Sequence, residues 1–247
     1  MKFENPPIAE VVIGVQFNSP LISNNRVYDY YQDIKENYPN VIEQQILGTI
    51  IEVPNAPPTQ SILQGFNSRK LFHRTSNDKL IQIQPNKLMF NWRRANDGDE
   101  YPHFNNVLKE FFDVYNQLDN YCNLSDKDNQ LEVTYVDHIF MDKFGRDDYN
   151  PVNILKIFNI KDKDKLTSVE QQMIFPVEKL HGNMYIKINS ATQNQDQRKI
   201  LRVATTCRGA RKDMSMEAWY DLAHNKLIDL FENITTENAK DIWGIKR

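Results

Sequence analysis

Apolar and β-branched residues recur along the chain in short runs that are separated by turn-forming residues. Ile8–Phe17 is the first such run, and it ends at Asn18, Ser19 and Pro20. A short apolar run bounded by turn residues is typical of a buried or half-buried strand. The same criteria predict further strands at Ile46–Val53, Ser61–Phe66, Arg69–Thr75, Lys79–Gln84, Lys87–Arg93, Leu131–Phe140, Gln171–Phe175, Asn183–Asn189 and Arg198–Cys207.

Two longer segments instead repeat apolar residues every three or four positions, which predicts amphipathic helices. They are Tyr101–Tyr121 and Ser215–Asn233, and the apolar stripe of the second includes Trp219 and Phe231. Shorter helices are predicted at Asn25–Asn37, Pro151–Phe158 and Thr236–Trp243. Strands that follow one another through short turns, with helices around them, indicate an α+β fold of antiparallel sheet and packed helices.

The order of these elements repeats near the middle of the chain. Residues 1–122 and residues 123–247 each read as a strand, a helix, several antiparallel strands and a long helix. Two interpretations account for this order. One is an internal duplication of a strand-helix-meander-helix unit, and the other is a single continuous α+β domain.

Composition indicates a folded protein without disulfides. The 247 residues include 13 Phe, 11 Tyr and 3 Trp, and the formal net charge is −3. No apolar run approaches the roughly 18 residues needed to cross a bilayer, and no signal-peptide pattern precedes Pro6. We therefore expect a cytoplasmic protein with no membrane partner. Its two cysteines, Cys122 in a polar loop and Cys207 in a strand, are both expected to be unpaired.

Three segments carry a resemblance to a known family. They are the N-terminal run Asn5–Phe17, the strand Leu131–Asp137, and the C-terminal run Trp219–His224, which is followed by Phe231, Ile234–Thr236, Trp243 and Gly244. Together they resemble a sporadically distributed family of uncharacterised prokaryotic proteins of similar length. The resemblance implies no catalytic residues. It implies a distribution like that of accessory genes in mobile or phage-defence loci.

Catalytic signatures are absent from the sequence. There is no phosphate-binding loop, dinucleotide fingerprint, His-Glu-x-x-His motif or nucleophile elbow, and only 8 glycines are available to form such loops. The cysteines lack zinc-site spacing, so neither a metal nor a cofactor is expected. Glu178 and His181 lie three residues apart in a proline-containing turn and could form an enzyme site, although an exposed glutamate and a loop histidine are the preferred explanation. His224 is expected to be partly buried and hydrogen-bonded.

Charge is distributed unevenly along the chain. Residues 69–94 hold 7 Lys or Arg against 1 acid, and residues 198–212 hold 6 Lys or Arg and no acid. Each basic stretch precedes an acidic helix. On the second stretch, strand alternation places Arg198, Arg202 and Arg208 on one face. Basic strands flanked by aromatic rings are suited to bind nucleic acid. The candidate residues for such a site are Trp92, Arg93, Arg94, Arg198, Arg202 and Arg208.

An alternative is that these cations neutralise the acidic helices, either within the protein or across a dimer. The net charge near zero favours this alternative. We therefore expect a non-enzymatic binding or regulatory protein that acts through a protein partner or self-association, accessory to a phage-defence or toxin–antitoxin locus. The other two hypotheses are nucleic-acid binding by the strands in 69–94 and 198–212, and an enzyme with a site near Glu178 and His181.

Overall fold

The fold is α+β, as the sequence predicts. A computed structural model describes residues 2–53, 56–61, 68–96, 98–140, 154–156, 168–192 and 198–246. The helices are α1 (Asn24–Ile34), α2 (Phe104–Cys122), α3 (Met216–Ile234) and α4 (Glu237–Ile242). The strands are β1 (Lys2–Phe3), β2 (Ile8–Phe17), β3 (Asn40–Gln45), β4 (Thr49–Ile51), β5 (Thr59–Ser61), β6 (Ser68–His73), β7 (Lys79–Gln84), β8 (Lys87–Arg93), β9 (Asp128–Phe140), β10 (Glu170–Val177), β11 (Gly182–Thr192), β12 (Lys199–Gly209) and β13 (Ile245–Lys246).

Nine strands form one antiparallel sheet in the order β10-β11-β12-β9-β2-β8-β7-β6-β3. The central pair is β2 with β9, in a register that places Ile13 opposite Val133 and Val15 opposite Leu131. The strands from residues 1–122 extend from β2 to one edge of the sheet, and the strands from residues 123–247 extend from β9 to the other edge. On each side the first strand pairs with the last, β2 with β8 and β9 with β12. The two predicted halves therefore share one continuous sheet, and their duplication stays a prediction.

Helices cover one face of this sheet and bury its apolar side chains. Sequence periodicity explains the packing, because the stripe of α3 brings Trp219, Tyr220 and Leu227 into the core. Tyr220 donates a hydrogen bond from its hydroxyl to the carbonyl of Gly14 on β2, at 2.9 Å. Ser215 caps the start of α3 by accepting a hydrogen bond from the amide of Ala218. Trp219 and Phe231 of the predicted stripe are thus buried. Tyr220, whose hydrogen bond anchors α3 to β2, is not part of the predicted stripe.

Several predicted bounds are wrong, and the largest error is at residues 40–53. One strand was expected at Ile46–Val53, whereas β3 precedes that range and β4 occupies only its middle. All residues of β3 are exposed, so the strand lacks the apolar alternation that the prediction depends on. Helix α1 ends at Ile34 rather than Asn37, and α2 starts at Phe104 rather than Tyr101.

The predictions for the two cysteines can be tested, whereas two predicted elements lie mostly outside the described residues. Cys207 is buried in β12 as predicted, whereas Cys122 is the last residue of α2 and not part of a loop. Both thiols are free. Most of the strand predicted at 61–66 lies outside the described residues. So does most of the helix predicted at 151–158, although Leu155 forms an isolated bridge with Thr235. No helix in the described part of the chain is long and apolar enough to cross a bilayer.

We predict that Trp219→Ala lowers the free energy of unfolding by about 3–5 kcal/mol, because the indole is fully buried and its removal leaves a cavity. Chemical denaturation measures this change. Tyr28→Ala is the matched control, since Tyr28 is 65% exposed and its removal should cost no more than about 0.5 kcal/mol. Equal stability of the two variants would show that α3 is not anchored by Trp219.

Candidate functional site

The strand faces predicted for Trp92, Arg202 and Arg208 are observed. Arg202 lies opposite His138 on β9, and Arg208 lies opposite Glu132, so both point away from the helices. Trp92 is on the helix side of β8, only 5% exposed, with its ring centroid 5.3 Å from that of Tyr101. A base cannot reach this ring. The expectation that Trp92 stacks on nucleotides is therefore corrected.

Arg208 is held in a buried network of charged groups. Its Nε donates a hydrogen bond to Glu132 at 2.7 Å, and its Nη1 donates to Glu52 at 3.1 Å. Glu52 also accepts hydrogen bonds from Asn183 Nδ2 at 2.7 Å and the Tyr185 hydroxyl at 2.5 Å. Burial by itself lowers the pKa of Arg208, but the two carboxylates more than offset it and raise that pKa above its ordinary value. Arg208 therefore has no charge available for a phosphate, which corrects its assignment as a contact residue.

The other candidate arginines differ in their partners. Arg93 donates to Glu10 at 2.8 Å, and Arg94 donates to the carbonyl of Pro6 at 3.2 Å. The guanidinium of Arg198 lies 3.9 Å from the ring centre of Phe140. Arg202 makes no hydrogen bond or ion pair with another residue in the described ranges, and it is half-buried. Of the five candidate arginines, Arg202 alone makes no hydrogen bond, ion pair or ring contact with another described residue.

A row of hydrogen-bonded polar side chains crosses the face opposite the helices. Arg69 on β6 donates to Gln44 on β3 and to Gln82 on β7, both at 2.7 Å. Gln82 donates to Asn91 at 2.8 Å, and Asn91 donates to Glu10 on β2 at 2.7 Å. The sequence signal for this row is the pair of amides at alternate positions of β7, Gln82 and Gln84, with Asn91 on β8. The row links β3 to β2 through side chains that already bind one another, and among its buried side-chain atoms only Arg69 Nε lacks a partner, so we assign it no ligand site.

The segment around β4 crosses the same face and closes part of it. Gln16 on β2 donates to the carbonyl of Ile50 at 2.7 Å and accepts from its amide at 3.0 Å, while Glu52 binds Arg208 as described. Beneath the segment, a cavity of about 10 Å³ is lined by Gln16, Lys87 and Arg208 among others. That volume holds a single water molecule at most. Burial lowers the pKa of Lys87. This arrangement is structural support, with no room for a substrate.

A second buried cluster lies where the three family-like segments meet. Asp137 is 3% exposed and lines a cavity of about 40 Å³. The other residues lining that cavity are Pro6, Pro7, Ile8, Tyr135, Thr205, Leu227, Ile228 and Phe231. Burial raises the pKa of Asp137 to about 7, and the nearby Arg94 lowers it only in part. A carboxyl group with a raised pKa in a small cavity is a feature of functional sites and also of structural cores.

His224 belongs to the same cluster and is partly buried and hydrogen-bonded, as the sequence predicts. Its Nδ1 lies 2.7 Å from the Tyr135 hydroxyl, and its ring stacks on Phe104 with centroids 4.2 Å apart. Burial lowers the pKa of His224 to about 4, so the imidazole is neutral near pH 7. The cavity is too small for an organic substrate, and the cluster therefore packs α3 against β9.

Glu178 and His181 are joined through the backbone only. Glu178 opens a single 3₁₀ turn, and the amide of His181 donates to its carbonyl at 3.0 Å. Within the described residues, no hydrogen bond connects their side chains. The geometry adds nothing in favour of an enzyme site at these two positions. No group of three or more His, Cys, Asp or Glu in the described ranges is arranged to bind a metal ion.

An open groove of about 730 Å³ separates α2 from the start of α3. Its walls include Lys109, Asp113, Glu217 and Asp221. Arg211 at its base donates to Asp128 and Asp126, each at 2.9 Å. Arg211, one of the basic residues in 198–212, is therefore paired with acids of the same chain.

The most accessible feature for a partner is the edge of the sheet at β3. This strand pairs with β6 on one side, and within the described residues it has no hydrogen-bonded neighbour on the other. Val41 and Ile42 are 42% and 48% exposed. Glu43, the one charged residue of β3, forms an ion pair with Lys70 at 2.6 Å. No strand is predicted from the sequence at Asn40–Gln45.

Two tyrosines of α1 extend this edge on the helix-covered side. Tyr31 stacks on Phe72 of β6 at 5.5 Å, and its hydroxyl donates to the carbonyl of Pro39 just before β3. Tyr28 lies three residues before Tyr31 and is 65% exposed. Helix α2 packs on the opposite flank of α1, where Tyr30 contacts Tyr121. We call β3 together with Tyr28 and Tyr31 the β3 edge surface.

The sheet ends at β10 on its other side. Ile174 and Phe175 of β10 are 40% and 36% exposed. This edge carries Pro176, which has no backbone N–H to donate to an added strand. The β3 edge is therefore better suited to strand addition.

Comparisons with known proteins add nothing to this description. No family model and no curated protein matches the chain. Among solved structures, DynU16, a protein of the dynemicin biosynthetic locus, is 8% identical over 94% of this chain and 98% of its own, with a TM-score of 0.27. A likeness at this level carries no argument about fold or function.

We predict that Asp137→Asn changes how stability depends on pH. The pKa of Asp137 is about 7 in the folded protein and about 3.9 in an unfolded chain, so its contribution is fully present below pH ~4 and is lost as pH rises through 7. Asparagine does not titrate, so the stability of the variant does not contain this pH-dependent contribution. Relative to the variant, the wild type should lose up to about 4 kcal/mol between pH 4 and 8.

Urea denaturation at a series of pH values measures this difference. Asp221→Asn on the exposed surface of α3 is the control and should follow the wild type throughout. A wild-type minus Asp137→Asn difference that stays constant with pH would contradict the assignment.

Proposed function

We propose that this chain is a non-enzymatic binding protein that acts by protein–protein association, and that a partner strand adds to the sheet at the β3 edge surface. The observation that carries the proposal is the open edge of β3. A free edge presents unpaired backbone N–H and C=O groups in a regular row, which is a template for another strand.

The residues of β3 favour association over solvent exposure. Proteins that avoid edge pairing place lysine, proline, a bulge or an inward-pointing charge on the edge strand. Lysine, proline and a bulge are absent between Asn40 and Gln45, where the register with β6 runs without a shift and Glu43 is the one charged residue. Glu43 is neutralised by Lys70, so a partner strand meets no uncompensated charge. Tyr31, which stacks on Phe72, and the exposed Tyr28 one helical turn before it supply aromatic side chains of the kind enriched in protein interfaces.

The biological setting of this proposal comes from the family resemblance alone. Proteins distributed in this sporadic manner are typical of accessory genes, and the proposal places this chain in a prokaryotic phage-defence or toxin–antitoxin locus as a regulatory binding component. The alternative of an enzyme at Glu178 and His181 gains no support from their side-chain geometry.

We predict that selection from a display library of extended peptides enriches binders on the wild type that are not retained by a Val41→Lys, Ile42→Lys double variant. Lysine on an edge strand opposes strand addition. Both positions are more than 40% exposed, so the variant should remain folded. Tyr28→Ala should weaken the selected binders without abolishing them, because it removes an aromatic contact and leaves the backbone row intact.

Lys226→Glu, on the far side of the fold in α3, is the control and should bind as the wild type does. Enrichment that does not depend on β3, or no enrichment on a chain that is also monomeric, would count against this function.

Nucleic-acid binding is the second candidate function, and one observation favours it. Arg202 on β12 and Lys187 on the neighbouring β11 both point away from the helices, and neither is paired within the described part of the chain. Burial lowers the pKa of the adjacent His138, and the positive charge of Arg202 lowers it further. These groups form a basic patch much smaller than the six-residue site expected from the sequence.

If this patch binds nucleic acid, Arg202→Ala and Lys187→Ala should each flatten the salt dependence of affinity by about one unit, because each removes one phosphate contact. Trp92→Phe should leave affinity unchanged, since the indole is buried. Titration of single-stranded and double-stranded RNA and DNA at several salt concentrations measures both effects. Absence of binding at low salt would remove this candidate.

A further inference from the structure

We propose that the strand added at the β3 edge surface comes from a second copy of this chain, in an antiparallel pair with Ile42 on the two-fold axis. The inference rests on the function proposed above and names its partner. The joined sheets would form one continuous sheet with all helices on the same side.

Symmetry restricts how two copies of β3 can pair. Antiparallel pairing of identical edges requires a two-fold axis perpendicular to the sheet, which keeps the helix-covered faces on the same side. Residues directly opposite each other then point to the same face. The axis must therefore lie midway between the two copies of one residue. The central candidates for that residue are Val41, Ile42 and Glu43.

Chemistry selects Ile42 among these three registers. An axis at Glu43 places two carboxylates directly opposite each other, which is destabilising. An axis at Val41 places Pro39 opposite Glu43 and leaves Gln44 and Gln45 without partners. An axis at Ile42 places the two isoleucines together, Asn40 opposite Gln44, and Val41 opposite Glu43.

The Ile42 register is self-complementary on both faces. On the open face, the exposed Ile42 side chains cover each other, and each is flanked by an amide pair from Asn40 and Gln44. On the helix-covered face, Glu43 keeps its ion pair with Lys70 while Val41 lies across from it. Tyr28 adds apolar area beside this face, which a strand pair alone lacks. A foreign strand would have to reproduce this pattern, whereas a second copy already carries it.

Cysteine cross-linking and sedimentation together test this inference. In a Cys122→Ser background, the remaining native thiol, Cys207, is fully buried. Residues directly opposite each other across an antiparallel pair have Cα atoms about 4.5–5.5 Å apart, which suits a disulfide. Ile42→Cys should therefore form a disulfide-linked dimer under mild oxidation.

Val41→Cys is the matched control. Its neighbour across the axis is Glu43 of the other copy, so the two introduced thiols are too far apart to bridge. In sedimentation, the wild type should behave as a concentration-dependent dimer. Ile42→Lys should be a monomer whose thermal midpoint equals that of the wild type at concentrations too low for dimerisation.

Three results would overturn the inference: a wild type that stays monomeric up to its solubility limit, equal cross-linking of Val41→Cys and Ile42→Cys, or open-ended polymers, which indicate β3 pairing with β10. A monomeric wild type that still selects β3-dependent peptides would leave the proposed function standing and defeat this inference alone. Failure of both experiments would defeat the proposed function as well.

Discussion

The antiparallel pairing of β2 with β9 is the constraint on which the rest of the structure depends. It joins strands from residues 1–122 to strands from residues 123–247 through a register of buried apolar residues such as Ile13 and Val133. Because the halves join at their first strands, the later strands extend outward on both sides. The sheet therefore ends at β3 and β10. An open sheet of this kind has two edges that some other element must cover or protect.

The same pairing explains how the chain distributes its charge. Helices bury one face of the sheet, so the polar residues of the central strands must find partners on the other. They do so through Arg208 between Glu52 and Glu132, and through the row from Gln44 to Glu10. A buried arginine between two carboxylates is costly to break, since removing it leaves both acids unpaired. The basic strands that looked like a nucleic-acid surface are therefore largely satisfied within the chain.

Sequence patterns predicted the parts of the fold that follow from local periodicity. The bounds of β2, β7 and β8 and the stripe of α3 match the structure, because each has a buried face. β3 was missed because exposure on both faces removes the alternation. Strand alternation placed Trp92 and Arg208 on the correct faces but could not reveal what covers them. The partner of Arg208, Glu52, is 156 residues away in the chain, and only the folded structure brings them together.

Hydrogen exchange at the backbone amides of Asn40–Gln45 tests the central claim, association through the β3 edge, most directly. Half of the amides of an open edge exchange quickly, because they have no acceptor. If a strand from a second copy covers them, protection should rise with protein concentration, as mass action requires, and should be lost in Ile42→Lys. Exchange at these amides that is equally fast in dilute and concentrated samples would contradict the account.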